Sequence, residues 1–219
     1  MNRRSKSLVT VLFASLLLGA CQTTDPYTGE QKTTNTAKGA GIGAATGAII
    51  GAIAGGSRKS ALIGAGVGVL AGGAVGSYMD SQETKLRQQL AGTGVSVTRS
   101  GNDLILNMPG NVTVPSGQSD VNASFYPVLN SVALVLKEYE KTLIDIVGHT
   151  DSTGSMELNM QLSQARAGSV GQYLQGQGIV PMRIQTQGVG PQSPVATNDT
   201  PEGRAANRRV ELILRPLTA

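Results

Sequence analysis

Glycine returns at every fourth position through residues 39–79, at 39, 43, 47, 51 and 55 and again at 64, 68, 72 and 76. A period of four lays each set along one side of a helix, where missing side chains let a second helix approach closely. Arg58 and Lys59 are the only charged residues in the stretch, within Gly55-Gly56-Ser57-Arg58-Lys59-Ser60, which reads as a turn between two arms. The spacing predicts a glycine-zipper helical hairpin over 39–79. Glycine costs a water-exposed helix about 1 kcal/mol per residue relative to alanine, so such arms need each other or lipid. Each arm offers about 18–20 uncharged residues, enough at about 1.5 Å per residue to cross about 30 Å of hydrocarbon. Two readings stand: a hairpin in the bilayer with Arg58 and Lys59 at the far surface, or a tight periplasmic hairpin that never enters it. The glycine faces also permit a homo-oligomer.

Upstream, Arg3, Arg4 and Lys6 precede an apolar run over 8–18, a charged and then a short hydrophobic region of the kind found in export leaders. The run ends Leu18-Gly19-Ala20-Cys21, and Cys21 is the single cysteine of the 219 residues. Small residues directly before a cysteine resemble the lipobox of bacterial lipoproteins, in which the cysteine is diacylated, freed by cleavage and N-acylated. That resemblance makes 1–20 a signal peptide and Cys21 the lipidation site. Acyl chains anchor at about 0.8 kcal/mol per buried CH₂. Gln22 in the next position favours the outer membrane over retention in the inner one. Residues 21–38 are a polar tether beneath this anchor. Removing 1–20 takes away three of the 18 Lys+Arg and none of the 14 Asp+Glu. The remainder is near neutrality and has no basic cluster, which argues against a nucleic-acid partner.

Residues 80–93 are charged and helix-permissive, with Met79, Leu86 and Leu90 on a shared stripe, and read as a short helical connector closed by Gly92 and Gly94. Beyond it the pattern changes to strands and helices. Val95 and Val97 alternate with polar residues, Ser100-Gly101-Asn102-Asp103 forms a turn, and Leu104, Leu106 and Met108 continue a hairpin. Helical spacing follows over 125–139, a strand over 142–150, a second helix over 157–175 buried through Leu158, Leu162, Val170 and Leu174, then strands over 183–188 and 208–215. The fold class is α+β, a β-hairpin followed by βαβαβ, with a mixed sheet covered by helices on one face.

Three polar stretches stand out in this part: Gly148-His149-Thr150-Asp151-Ser152-Thr153-Gly154, Asn159-Met160-Gln161-Leu162-Ser163-Gln164-Ala165-Arg166-Ala167, and Asn207-Arg208-Arg209-Val210-Glu211. An acid at a strand end, an arginine on the next helix and a basic pair opening the last strand suit a zwitterion. The spaced motif resembles the OmpA-like peptidoglycan-binding domain over roughly 94–217, within a domain spanning 94–219. The resemblance implies an OmpA-like mixed sheet and a non-enzymatic role: binding the diaminopimelate of peptidoglycan and tethering the outer membrane to the wall. It implies that Asp151 takes the ligand's ammonium and Arg166 its carboxylate, with Thr150, Asn159 and Arg208 completing the pocket. Arginine suits a carboxylate through its planar fork of donors. The glycine-rich stretch likewise resembles the zipper segments of certain outer-membrane lipoproteins. One stretch departs from the OmpA-like pattern: 112–119 carries no acid, and Pro115 supplies no N–H to a pocket wall.

Plainer readings accompany these. Asp151 and Arg166 also suit a structural ion pair, Asn159 a helix cap, and Arg209 a solvated strand-end charge. A hydrolase built on His149, Asp151 and Ser163 is a further alternative, for which two-residue spacing on a strand puts His149 and Asp151 on one side. The chain has one histidine and its single cysteine is at the lipidation position. That leaves no cofactor and too few ligands for a zinc centre. A pore built on the zipper and merely localised by the last domain is the remaining alternative.

Overall fold

A computed structural model describes residues 23–24, 31–32, 56–110 and 119–218. The leader, Cys21, Gln22, the first glycine arm and most of the divergent 112–119 stretch lie outside the described residues. Two compact units divide the chain, 1–38 and 39–219. In the first, β1 (Thr23–Thr24) pairs antiparallel with β2 (Gln31–Lys32).

In the second unit, α1 (Gly56–Gly64) and α2 (Val75–Leu90) precede the hairpin β3 (Ser96–Ser100) and β4 (Asp103–Pro109). Next come α3 (Tyr126–Glu138), β5 (Thr142–Gly148), α4 (Met156–Gly176) and β6 (Ile184–Gly188). The short α5 (Pro201–Asn207) and β7 (Arg209–Pro216) close the chain. Five strands lie in the order β3-β4-β7-β5-β6, and only β5 with β6 is parallel. The last strand therefore sits in the middle of the sheet.

Local chemistry explains the boundaries. Gly101 turns the hairpin at φ 59 in the first central position, as a type II′ turn requires. Ser155 caps α4 by accepting from the Leu158 N–H at 3.2 Å, and Thr200 caps α5 through Gly203. Pro201 at the first position of α5 costs no hydrogen bond there.

One face of the sheet presents Leu104, Leu106, Met108, Ile144, Ile146, Val210, Leu212 and Leu214 to a core completed by α2, α3 and α4. Gly148 and Gly188 let α4 lie directly on the strands: a Cβ on Gly148 would collide with the Ser163 carbonyl, and one on Gly188 with the Gln164 backbone. Arg183 is buried beneath the loop between α3 and β5. It donates to the carbonyls of Leu136, Tyr139 and Thr142 at 2.8–2.9 Å. Burial pushes its pKa down to about 10.

Three expectations need correction. The stretch read as a turn at 55–60 enters a helix: α1 starts at Gly56, and the second glycine set is broken by Gly66 at φ 90 and a 3-10 turn at Gly72–Ala74. The ion pairs of Arg58 with Asp145 at 2.6 Å and its hydrogen bond to Gln185 at 2.9 Å hold α1 in place. These contacts are on the sheet face away from the main core. The stretch read as a connector, 80–93, belongs mostly to α2, whose Met79, Leu86 and Leu90 are buried in the core. Leu158, expected in the core, is 58% exposed, because Ser155 starts α4 with its second turn directed by Asn159 and Ser163 instead. No helix among the described residues is long and apolar enough to cross a membrane.

Leu86 is fully buried. Leu86→Ala should lower unfolding free energy by about 2–5 kcal/mol in urea titrations, the range for a truncated core leucine. A mere connector would lose under about 0.5 kcal/mol. Gly148→Ala should cost about 1–3 kcal/mol or more, because the obstacle is backbone rather than a flexible side chain.

Candidate functional site

The site forms where three elements meet beyond the C-terminal ends of β5 and β6. β5 stops at Gly148, and the chain continues through Thr150 and Asp151 into the loop before α4. The Thr150 N–H is held by the Gly190 carbonyl at 3.0 Å. Asp151 Oδ1 accepts from the Thr153 N–H at 2.9 Å, and Oδ2 accepts from Arg208 Nη1 at 2.7 Å. Burial would raise the Asp151 pKa, but Arg208 and the Thr153 hydrogen bonds outweigh it and hold the carboxyl below its ordinary value.

Arg166 enters from α4 and is 2% exposed. Burial lowers its pKa, the like charge of Arg208 adds to that, and Asp151 opposes both. Asp151, Arg166 and Arg208 are thus electrostatic neighbours, with Arg208 in direct contact with the carboxylate. Ser163 sets the height of α4, since its hydroxyl donates to the Met160 carbonyl and accepts from the Gly190 N–H, each at 2.9 Å. Arg166 lies less than one turn further along that helix.

The other expected site residues surround this trio. Asn159 is 4% exposed and donates to the Thr153 carbonyl at 2.9 Å, so it braces the Asp151 loop. It is not the helix cap; Ser155 has that role. Thr150 is 4% exposed and its hydroxyl finds no partner among the described residues. A buried hydroxyl without a partner is costly and suits a site that a polar ligand completes.

Arg209 is corrected from solvated charge to buried ion. It is 1% exposed, donates from Nε to Glu211 Oε1 at 2.7 Å, and reaches the Ser193 carbonyl. Arg208, the extended residue just before β7, reaches Asp151, whereas Arg209 opens the strand and turns to Glu211. His149 and Asp151 do not share a strand side either, because β5 ends at Gly148, before both, and His149 lies beside Glu211. The Ser163 hydroxyl is committed to backbone partners and makes no hydrogen bond to His149.

Sequence reasoning missed Asn207 and Asn198. Asn207 is fully buried; its Oδ1 accepts from the Val195 and Ala196 N–H groups, and its Nδ2 donates to Ala196 and to Asn198 Oδ1. Asn198 Oδ1 also accepts from Ser152 N–H at 3.2 Å, which ties the Asp151 loop to the segment before β7. The signal available was the asparagine heading the Asn-Arg-Arg stretch, which reads as polar surface until the return loop folds over it.

Comparison with known proteins places these elements. Residues 1–80 match the YMGG-like Gly-zipper model and residues 115–208 match the OmpA family model. The probable lipoprotein YiaD of Escherichia coli is 50% identical over 220 residues, covering 99% of this chain and 100% of that protein. The peptidoglycan-binding protein ArfA of Mycobacterium bovis is 46% identical over 89 residues, 41% of this chain and 27% of that protein. Among solved structures, a cell wall anchor from Pseudomonas aeruginosa superimposes with a TM-score of 0.55 at 30% identity, covering 61% of this chain and 99% of that one. Matched along its whole length to the E. coli lipoprotein, the chain belongs to that protein's family, in which a YMGG-like Gly-zipper segment precedes an OmpA family domain.

Proposed function

We propose that the chain is a non-enzymatic outer-membrane lipoprotein that binds peptidoglycan and tethers the membrane to the wall. The observation that carries this reading is the convergence of Asp151, Arg166 and Arg208 from three elements, beside Thr150, whose buried hydroxyl has no partner among the described residues. The free end of diaminopimelate offers a carboxylate and an ammonium on one carbon. Arg166 would receive the carboxylate with its fork of donors. Asp151 would receive the ammonium, its carboxylate either accepting from both the ammonium and Arg208 or exchanging one cation for the other. Thr150 would gain the hydrogen bond that the described residues do not give it. The relative whose name states peptidoglycan binding is 46% identical over 89 residues, which supports the same ligand class.

The membrane end of the tether rests on Cys21 and its lipobox-like context. Joining two sites on one chain raises the effective concentration of each for its target, so a modest wall affinity can hold two layers together. No chemistry on the wall is needed for this. Noncovalent binding would leave the tether free to re-form as the wall grows.

Co-sedimentation with purified diaminopimelate-type peptidoglycan tests the site. Asp151→Ala and Arg166→Ala should each weaken pelleting by about 2–5 kcal/mol, the cost of leaving one member of a desolvated charge pair alone. Unchanged pelleting of both variants with native circular dichroism would refute the assignment. Lysine-type peptidoglycan provides the second test. Lysine keeps the ammonium but lacks the neighbouring carboxylate, so wild-type pelleting should fall at least tenfold, about 1.4 kcal/mol. Equal pelleting on both walls would remove diaminopimelate as the ligand.

A further inference from the structure

His149 is the only histidine of the chain, and the wall-binding reading gives it no contact with ligand. Its ring is 1% exposed and neither nitrogen has a hydrogen-bond partner among the described residues. Nε2 lies 3.8 Å from Glu211 Oε2, which also lacks one, while Glu211 Oε1 is engaged by Arg209. The rest of the Arg209 fork donates to the Asn207 and Ser193 carbonyls.

Few other groups face this cluster. From β4 the neighbour of Glu211 is Asn107, and from β6 the neighbour of Val147 is Gln187; both are neutral, with buried oxygens that have no partner among the described residues. The return loop contributes Ser193, also neutral. Further along β5 the next acid is Asp145, already paired with Arg58 and Arg215. Glu211 is therefore the one carboxylate available to both Arg209 and His149 among the described residues.

The cluster lies directly beneath the proposed grip. The His149 N–H donates to the Arg209 carbonyl at 2.9 Å, joining the two chain segments. Asp151 is two residues beyond one end of that bond, and Arg208 is one residue before the other. A shift of Arg209 or His149 is transmitted to both charges within two residues.

We propose that His149 is a positioning residue for this grip, and that adding a proton to its imidazole releases the wall. Neutral, it leaves Glu211 on Arg209 and the start of β7 fixed. Protonated by solvent, it becomes a charged donor that closes the 3.8 Å gap, draws Glu211 from Arg209 and shifts Arg208 away from Asp151. The inference rests on the wall-binding reading given above.

Burial first, and the positive charge of Arg209 second, hold the imidazole well below its ordinary value of 6.5. The sign follows: a histidine with a lowered folded-state pKa leaves the site intact above 6.5 and disrupts it as pH falls through the lower folded value. Release is confined to acid conditions.

The test uses the full chain, diaminopimelate-type peptidoglycan and the side-chain resonances of the single histidine, within the pH range where circular dichroism remains native. Wild-type affinity should fall about tenfold per pH unit below the imidazole midpoint, the slope for one required deprotonated group. His149→Gln should stay bound through that range and let go only when Asp151 protonates, below the ordinary carboxylate value of about 3.9. Glu211→Gln, which takes away the acid that the imidazolium would draw, should move wild-type release to lower pH. Coincident release of wild type and both variants overturns the proposal. Should the wall not bind even at pH 7, the wall-binding reading fails, and the positioning role is then judged by NMR alone. Asp151 and Arg208 signals that track the His149 titration support it, and stationary ones overturn it.

Discussion

The contact on which the site depends is backbone against backbone: α4 rests on β5 and β6 at Gly148 and Gly188, with no side chain between. Ser163 locks that approach by joining the helix to Gly190 beyond the end of β6. Arg166, less than one turn later, is consequently held beneath the surface rather than extended into solvent. A guanidinium in that position needs opposite charge nearby, and Asp151 provides it from the loop that the same strand feeds. Close packing and charge placement are thus one arrangement.

Strand order supplies the third member. Had β7 followed β6 at the sheet edge, Arg208 would lie far from Asp151. Insertion of β7 between β4 and β5 instead pairs Gly148 with Val210 and sets Arg208 next to the Asp151 loop. The same register buries Arg209 on the reverse side with Glu211. Adjacent arginines therefore have different environments, one 27% exposed at its side chain and one 1% exposed.

Much of this was legible in the residues. The hairpin around Gly101, the two long helices and the strands carrying alternating apolar positions follow from periodicity and turn chemistry, and the Asp151, Arg166 and Arg208 positions follow from the motif. What could not be read depends on contacts distant in sequence. The fate of Arg209 required the register of β7, and the exposure of Leu158 required knowing that α4 faces the sheet with Asn159, Ser163 and Arg166. The bracing role of Asn207 was not legible because its four hydrogen bonds reach a return loop with no periodicity of its own. The helix at 80–93 and the stripe of Met79, Leu86 and Leu90 were legible, but with so few apolar residues the stretch looked like a connector, whereas all three reach the core.

The glycine-rich segment shows how a local signal yields to a distant one. Gly55-Gly56-Ser57-Arg58-Lys59-Ser60 has the composition of a turn, and two adjacent cations suit a hairpin tip facing lipid phosphates. Asp145 offers Arg58 a different partner: it is 1% exposed and held between Arg58 at 2.6 Å and Arg215 at 3.1 Å. Breaking a buried pair by withdrawing one member typically costs about 3–5 kcal/mol, whereas a pair at the surface contributes about 0–1 kcal/mol. Arg58 is partly buried and Arg215 remains, so the loss here lies between those limits. Moving Arg58 to a membrane surface must offset that loss before any apolar burial of the glycine arms begins to favour insertion. With glycine in every fourth position, those arms have little apolar surface with which to do so.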